Sequence, residues 1–237
     1  VILDNKSIKN DIYIPKKLLW TAKHKDRVAV KITKWEWKNP EWIIFEVLWD
    51  KNKKWNDVLS LMLEKWIRTK FPQVVIEEAQ KVVWQEENRT NLTKILTFTI
   101  DWEDARDLDD AISIEKLWNH YKLIVSIADV AEYVKEDSFL DKEAFKRWNS
   151  TYLADRVIPM LPEKLSNDLC SLNANTKKLT LSCEILLDEK WIVKTSKVYN
   201  SVFTSSYRLT YKEVEKIFLK ELSIWDELSF WWLITPW

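Results

Sequence analysis

Asp101, Asp107, Asp109 and Asp110 fall within residues 101–110, where six side chains are carboxylates and Arg106 is the one cation. Packing like charges so densely costs free energy unless a positive group sits among them. A hard divalent cation with oxygen ligands meets that need, Mg2+ above all. If the loop folds back, this spacing brings several carboxylates to one point. A calcium-binding EF-hand loop fits poorly. No Gly follows Asp109 and Asp110, and Ile112 and Trp118 stand at the two possible twelfth positions where a Glu is required. The plainer alternative is a solvated acidic loop.

The flanking elements favour the metal reading. Ile95-Leu96-Thr97-Phe98-Thr99-Ile100 is apolar and β-branched, the signature of a buried strand, and Ala111-Ile112-Ser113-Ile114 is a second short one. A merely solvated loop has no need of a rigid strand on each side. Downstream, hairpins are expected at 111–117 with 120–128 and at 179–187 with 192–199. Short helices are expected at 129–134 and from Phe139 to Arg147, the latter with Ser138 as N-cap and Asp141 completing a capping box. The prolines of 151–162 fix an extended path, and Thr210 caps a last helix running to about Lys220.

Upstream, residues 1–60 read as a small β unit. Strands are expected at Asp11–Pro15, Arg27–Ile32 and Glu41–Leu48, and Lys-rich turns lie between the last two. Short strands with basic loops suit an antiparallel barrel of the oligonucleotide-binding type. Lys31, Lys34 and Lys38 are its candidate phosphate contacts; the alternative is that they are simply solvated. Residues 61–94 form a helical connector, with a better helix from Gln73 to Val83, and 95–237 form a mixed α/β region. The fold class is mixed α+β.

Composition narrows the function classes. The chain has 237 residues, with 37 basic side chains against 37 acidic ones. Residues 1–60 nevertheless carry 13 Lys and Arg against 8 Asp and Glu, an excess of five that 61–237 reverses. A basic head before an acidic centre suits a polyanion gripped first and cut later. Cys170 and Cys183 have no paired spacing, and His24 and His120 lie far from both, which argues against zinc and against a disulfide-linked partner. That usage suits a reducing cytoplasm. No apolar run approaches the ~18 residues of a membrane span, no signal peptide is visible, and a start at Val1 reads as an internal fragment.

Glycine is absent, and 16 tryptophans are present. The tryptophans stand where glycine is usual. Trp118 sits at a hairpin turn, Trp191 between two strands and Trp148 at a helix end that favours left-handed backbone. Trp35, Trp37, Trp42, Trp49 and Trp55 punctuate a loop-rich region. Trp replacing Gly throughout, as when a UGA codon is read under the wrong genetic code, explains the pattern, and ordinary UGG codons at these sites would refute that origin. The alternative, an aromatic surface for stacking RNA bases, would place the rings on strands rather than at turns.

With these segments placed, the chain resembles the ribonuclease R branch of the ribonuclease II, or RNB, family. The resemblance is carried by Thr99 to Ala111, Ile127-Ala128-Asp129-Val130, Val157 to Ser166, Leu169-Cys170-Ser171-Leu172-Asn173 and Leu179 to Glu184. It covers nearly the whole chain: 1–60 resemble the second cold-shock-type barrel and 90–237 the opening of the nuclease domain. It implies a processive 3′-to-5′ exoribonuclease that hydrolyses single-stranded RNA to nucleoside 5′-monophosphates with Mg2+. Asp101, Asp107 and Asp110 would hold metal, Asp109 would serve the chemical step, and Tyr152 would stack on a terminal base. Tyr152 also reads as an ordinary core tyrosine. Where the family carries Gly beside its first aspartate this chain has Trp102, which would strain the loop if that position required positive φ. The later nuclease segments with their phosphate-clamping arginine, the first cold-shock barrel and the C-terminal S1-type barrel are not in the chain. An RNA-binding protein of the same fold without hydrolysis is the alternative function. A metal-binding interaction domain unrelated to RNA is a third, if the resemblance is set aside.

Overall fold

The computed structural model describes residues 1–2, 11–34, 41–48, 56–65, 67–154 and 156–219, and the chain divides into two compact units, Val1–Lys70 and Phe71–Trp237. In the first unit, β1 (Val28–Lys34) pairs antiparallel with β2 (Glu41–Val47), and α1 (Asn56–Glu64) follows. Asp11–Pro15, expected as a strand, keeps the strand period without joining a ladder: Ile12 and Ile14 are buried, Tyr13 between them is exposed, and Ile12 N–H donates to the Val1 carbonyl at 2.9 Å. Pro15 then turns the chain into a 3-10 turn, Lys16–Leu18, as a residue of fixed φ lacking an N–H does. Ile12, Ile14 and Ile44 form this unit's core.

The second unit opens with α2 (Gln73–Lys81) and β3 (Thr90–Asn91), so 61–94, read as one connector, is shared between the units. Val75, Ala79 and Leu92 pack into the main core because the apolar stripe of α2 needs a partner surface. Next come β4 (Phe98–Asp101), β5 (Asp110–Leu117), β6 (His120–Ala128), α3 (Val130–Tyr133) and α4 (Phe139–Arg147). The chain continues through β7 (Thr151–Tyr152), β8 (Val157–Ile158), a π-helical turn at Lys164–Leu169, β9 (Lys177–Asp188), β10 (Val193–Thr204), β11 (Tyr207–Thr210) and α5 (Tyr211–Phe218). Seven strands form one sheet in the order β11-β4-β5-β6-β9-β10-β3, antiparallel except for the parallel pairs β11–β4 and β3–β10. The fold is mixed α+β.

One sheet face carries the core of Leu108, Ile124, Leu140, Leu165, Leu172 and Phe203. Its small polar residues satisfy one another: Ser126, Ser182, Ser201 and Thr180 hydroxyls are joined at 2.6–2.7 Å across β6, β9 and β10. That removes the cost of burying unpaired hydroxyls. The cap residues behave as their chemistry dictates. Ser138 Oγ accepts the Asp141 N–H at 3.0 Å, while the Asp141 carboxylate accepts from Asp137 N–H rather than closing the box on Ser138. Thr210 and Glu213 form a complete box on α5.

The tryptophan expectation meets the backbone directly. Trp20, Trp118, Trp148 and Trp191 adopt φ of 53°, 44°, 72° and 61°, the left-handed region that favours glycine. The three turn and cap positions singled out in the sequence are all among them. Trp102 is not, so Trp in place of Gly beside Asp101 does not force that strain on the acidic loop. Trp35, Trp37, Trp49 and Trp55 lie outside the described residues.

Candidate functional site

The acidic loop joins β4 to β5, neighbours in the sheet. Asp101 is the last residue of β4 and Asp110 the first of β5. Between them the chain makes a turn, Ala105 N–H donating to the Trp102 carbonyl at 3.1 Å, and then drives Leu108 into the core, where it is fully buried. That single side chain contributes ~1.5–3 kcal/mol of apolar burial and fixes which way its neighbours Asp107 and Asp109 can turn. The Asp109 carbonyl accepts from Ala128 N–H at 2.9 Å, tying the end of the loop to β6.

The electrostatics follow from that crowding. Desolvation, then Asp110, raise the Asp101 carboxyl above its ordinary range, with Arg208 pulling it down and Asp107 adding to the rise. Asp109 is raised by desolvation and then by Asp107, Asp110 and Asp101 in turn. Arg208 is the one cation that acts on either raised acid, and it acts on Asp101 alone. Asp101 Oδ2 is buried with no hydrogen-bond partner. An orphaned carboxylate oxygen beside three further carboxylates is the donor chemistry a hard divalent cation takes, and the residues present fit such an ion. Among the described residues, however, no three His, Cys, Asp or Glu side chains are gathered closely enough to hold a metal by themselves. Mutual repulsion opposes their convergence when no cation balances it.

Tyr152 belongs to the same site. It ends β7, is 64% exposed, and its hydroxyl donates to Asp107 Oδ2. That hydrogen bond, with desolvation and the nearby acids adding to it, pushes the phenol up to about 12. A residue this exposed is not a core tyrosine. Lys31 and Lys34 are exposed on β1 in the other unit, and Lys38 lies outside the described residues. The structure therefore brings together Asp101, Asp107, Asp109, Asp110 and Tyr152.

Two further side chains, Ser171 and Arg208, support this site, and a third, Arg89, is buried in the same unit; none was singled out in the sequence. Ser171 Oγ donates to the Arg106 carbonyl at 2.7 Å and accepts from Leu108 N–H at 3.1 Å. Arg208 Nη2 donates to the carbonyls of Trp102, Glu103 and Ala105 at 3.3, 2.9 and 2.7 Å. Arg89, with a side chain 4% exposed, pairs with Asp129 at 2.6 Å and Glu132 at 3.2 Å and also donates to the Thr180 and Ser201 carbonyls. Ser171 and Asp129 lie inside stretches that carried the resemblance, which was the available signal. Arg89 and Arg208 had none. Two cavities flank the loop: one of about 320 Å³ is lined by Asp101, Glu103 and Tyr211, and one of about 500 Å³ by Arg106, Asn173 and Arg208.

A mixed sheet that presents an aspartate-rich loop, preceded by a small β unit, defines a class. Residues 89–229 match the RNB domain and residues 1–72 a cold shock domain, so the chain belongs to the RNB-domain family. Among curated proteins it is 39% identical to "Ribonuclease R 2" of Lactococcus lactis over 223 residues, covering 91% of this chain and 33% of that protein. To "Ribonuclease R" of Thermotoga maritima it is 40% identical over 237 residues, covering 96% of this chain and 33% of the relative. It thus spans about a third of the length of these relatives. Among solved structures, that of Mycoplasma genitalium RNase R in complex with ribose-methylated single-stranded RNA superposes with a TM-score of 0.81 at 30% identity, covering 90% of this chain and 34% of that one.

Proposed function

We propose that this chain carries the catalytic acids of a processive 3′-to-5′ exoribonuclease that hydrolyses single-stranded RNA to nucleoside 5′-monophosphates. One observation carries the reading: Asp101, Asp107, Asp109 and Asp110 occupy the one loop between β4 and β5, and Asp101 Oδ2 is buried there with no hydrogen-bond partner. The similarity to ribonucleases R over most of the chain supports it. Asp101, Asp107 and Asp110 would hold Mg2+, which when bound polarises a scissile phosphate and lowers the pKa of an attacking water. Asp109 serves the chemical step. Tyr152 offers its ring to the terminal base while its hydroxyl orients Asp107. Lys31 and Lys34 on the first unit contact the RNA backbone, a sequence-independent attraction that weakens as salt rises.

The second reading is an RNA-binding piece of the same fold that does not hydrolyse. The open arrangement of the carboxylates favours it, since no three of them are gathered for an ion as they stand. Both readings place the protein in the cytoplasm, which free thiols at Cys170 and Cys183 suit. No helix among the described residues is long and apolar enough to cross a membrane.

End-labelled RNA separates the readings. With Mg2+, a 3′-labelled single strand should release its label at once as a nucleoside 5′-monophosphate, while a 5′-labelled strand should keep its label until the last steps. Labelled internal fragments would contradict exonucleolytic attack. Bound but intact RNA from both substrates would establish the binding reading.

A further inference from the structure

The acidic loop does not support itself. Its backbone is held from two sides by residues that belong to neither of its strands. From inside, Ser171 is fully buried and its hydroxyl spends both of its hydrogen-bonding capacities on the loop, donating to the Arg106 carbonyl and accepting from Leu108 N–H. The next residue repeats the attachment, Leu172 N–H donating to the Leu108 carbonyl at 2.8 Å. From outside, one guanidinium nitrogen of Arg208 gathers the Trp102, Glu103 and Ala105 carbonyls, all within 3.3 Å. Arg208 stands on β11, which runs parallel to β4 with Arg208 opposite Thr99. The inner clamp grips 106–108 and the outer clamp 102–105, so that between them they fix the backbone on both sides of Asp107.

We propose that Ser171 and Arg208 are positioning residues that set the direction of the loop carboxylates and thereby the affinity of the site for its divalent ion. The inference rests on the metal reading above. Both residues bond to main-chain atoms of the loop rather than to its carboxylates. Their contribution is to remove backbone freedom before an ion arrives, so that binding does not have to order the loop. Losing a partner that orients metal ligands typically lowers metal affinity about 10- to 100-fold. Charge alone does not explain Arg208. A lysine would keep the positive charge near Asp101, but its Nζ ends one bond short of the Arg208 Nη2 position from which the three carbonyls are gathered.

The test uses the full chain and Mn2+ as a spectroscopic stand-in for Mg2+, with binding read by electron paramagnetic resonance. Hydrogen exchange is read in parallel at the Ala105 and Leu108 amides in EDTA. Ser171→Ala and Arg208→Lys should each weaken Mn2+ binding about tenfold and speed exchange within 102–110, leaving exchange in β6 and β9 unchanged. Arg208→Lys lies at the surface, so it stays informative if Ser171→Ala folds poorly. Arg208→Lys binding Mn2+ as the unsubstituted chain does, with Arg208→Gln weakened, would show that only charge matters and overturn the clamp. Unchanged affinity in both Ser171→Ala and Arg208→Lys would overturn the inference alone. No Mn2+ binding by the unsubstituted chain would overturn the metal reading and this inference with it.

Discussion

Tyr152 and Asp107 show how much one hydrogen bond decides at the residue scale. The phenol of Tyr152 donates to a carboxylate that the metal reading needs, while its ring stays exposed. Its two parts therefore separate cleanly. Tyr152→Phe keeps the ring and removes the donor, so RNA affinity in EDTA should hold while Mg2+ affinity changes several-fold. Tyr152→Ala should weaken RNA binding as well, by about 1–3 kcal/mol if a base stacks there. Equal RNA binding by Tyr152→Ala and the unsubstituted chain would contradict stacking. Asp109 gives a second handle. Its folded pKa lies above its ordinary value, so ionising it costs the fold stability that is fully present below the unfolded pKa and lost as pH rises through the folded one. In EDTA at neutral pH, Asp109→Asn should raise Tm, by a margin that solvent screening keeps small because the side chain is exposed. That gain should vanish below about pH 4, where the unfolded carboxyl also holds its proton. A lower Tm at neutral pH would contradict a raised folded-state pKa at Asp109. The residue types and spacing of the four aspartates were legible along the chain. Ser171 and Arg208 were not, because they reach the loop from 65 and more than 100 residues away and spend their bonds on main-chain atoms that any sequence supplies.

Elements whose signals are local agree well with the sequence. The β5–β6 and β9–β10 hairpins, α2, α4 and the Thr210 cap lie where periodicity and capping chemistry put them. Two elements that escaped notice, β3 and β11, are short strands of two and four residues that pair in parallel with distant partners. Nothing local specifies such pairing. The turns carry the more telling result. Trp118 has φ of 44° at the β5–β6 turn and is 96% exposed. A left-handed non-glycine residue costs about 1–2 kcal/mol, and Trp118 buries nothing in return. Trp118→Gly should therefore raise Tm by several degrees, at roughly 2–4 °C per kcal/mol for a chain of this size. Trp191 is a poorer probe, since its ring stacks on Tyr121 with centroids 4.7 Å apart and would be missed. No change or a fall in Tm for Trp118→Gly would contradict the view that these positions are built for glycine.

At the scale of the whole molecule, one unit supplies a β pair that carries Lys31 and Lys34 and the other a sheet whose β4 and β5 are joined by the acidic loop. Membership of the RNB-domain family and the fold class were legible because the motifs that carry them are continuous stretches. The division of the chain was less so: the apolar faces of α2 and Leu92, which lie in a polar-looking stretch of sequence, are buried by the second unit. Burial against distant elements, rather than local composition, sets that boundary. The central claim is that this second unit performs hydrolysis at the loop and that Asp109 is needed for the reaction rather than for RNA binding. The most direct test compares the unsubstituted chain with Asp109→Asn, measuring both RNA affinity and single-turnover release of labelled nucleotide from a 3′-labelled strand with Mg2+. The account predicts equal affinity, with turnover in the first and at least a hundredfold loss, about 2.7 kcal/mol or more of barrier, in the second. Turnover that survives Asp109→Asn, or RNA affinity that falls with it, would contradict the account.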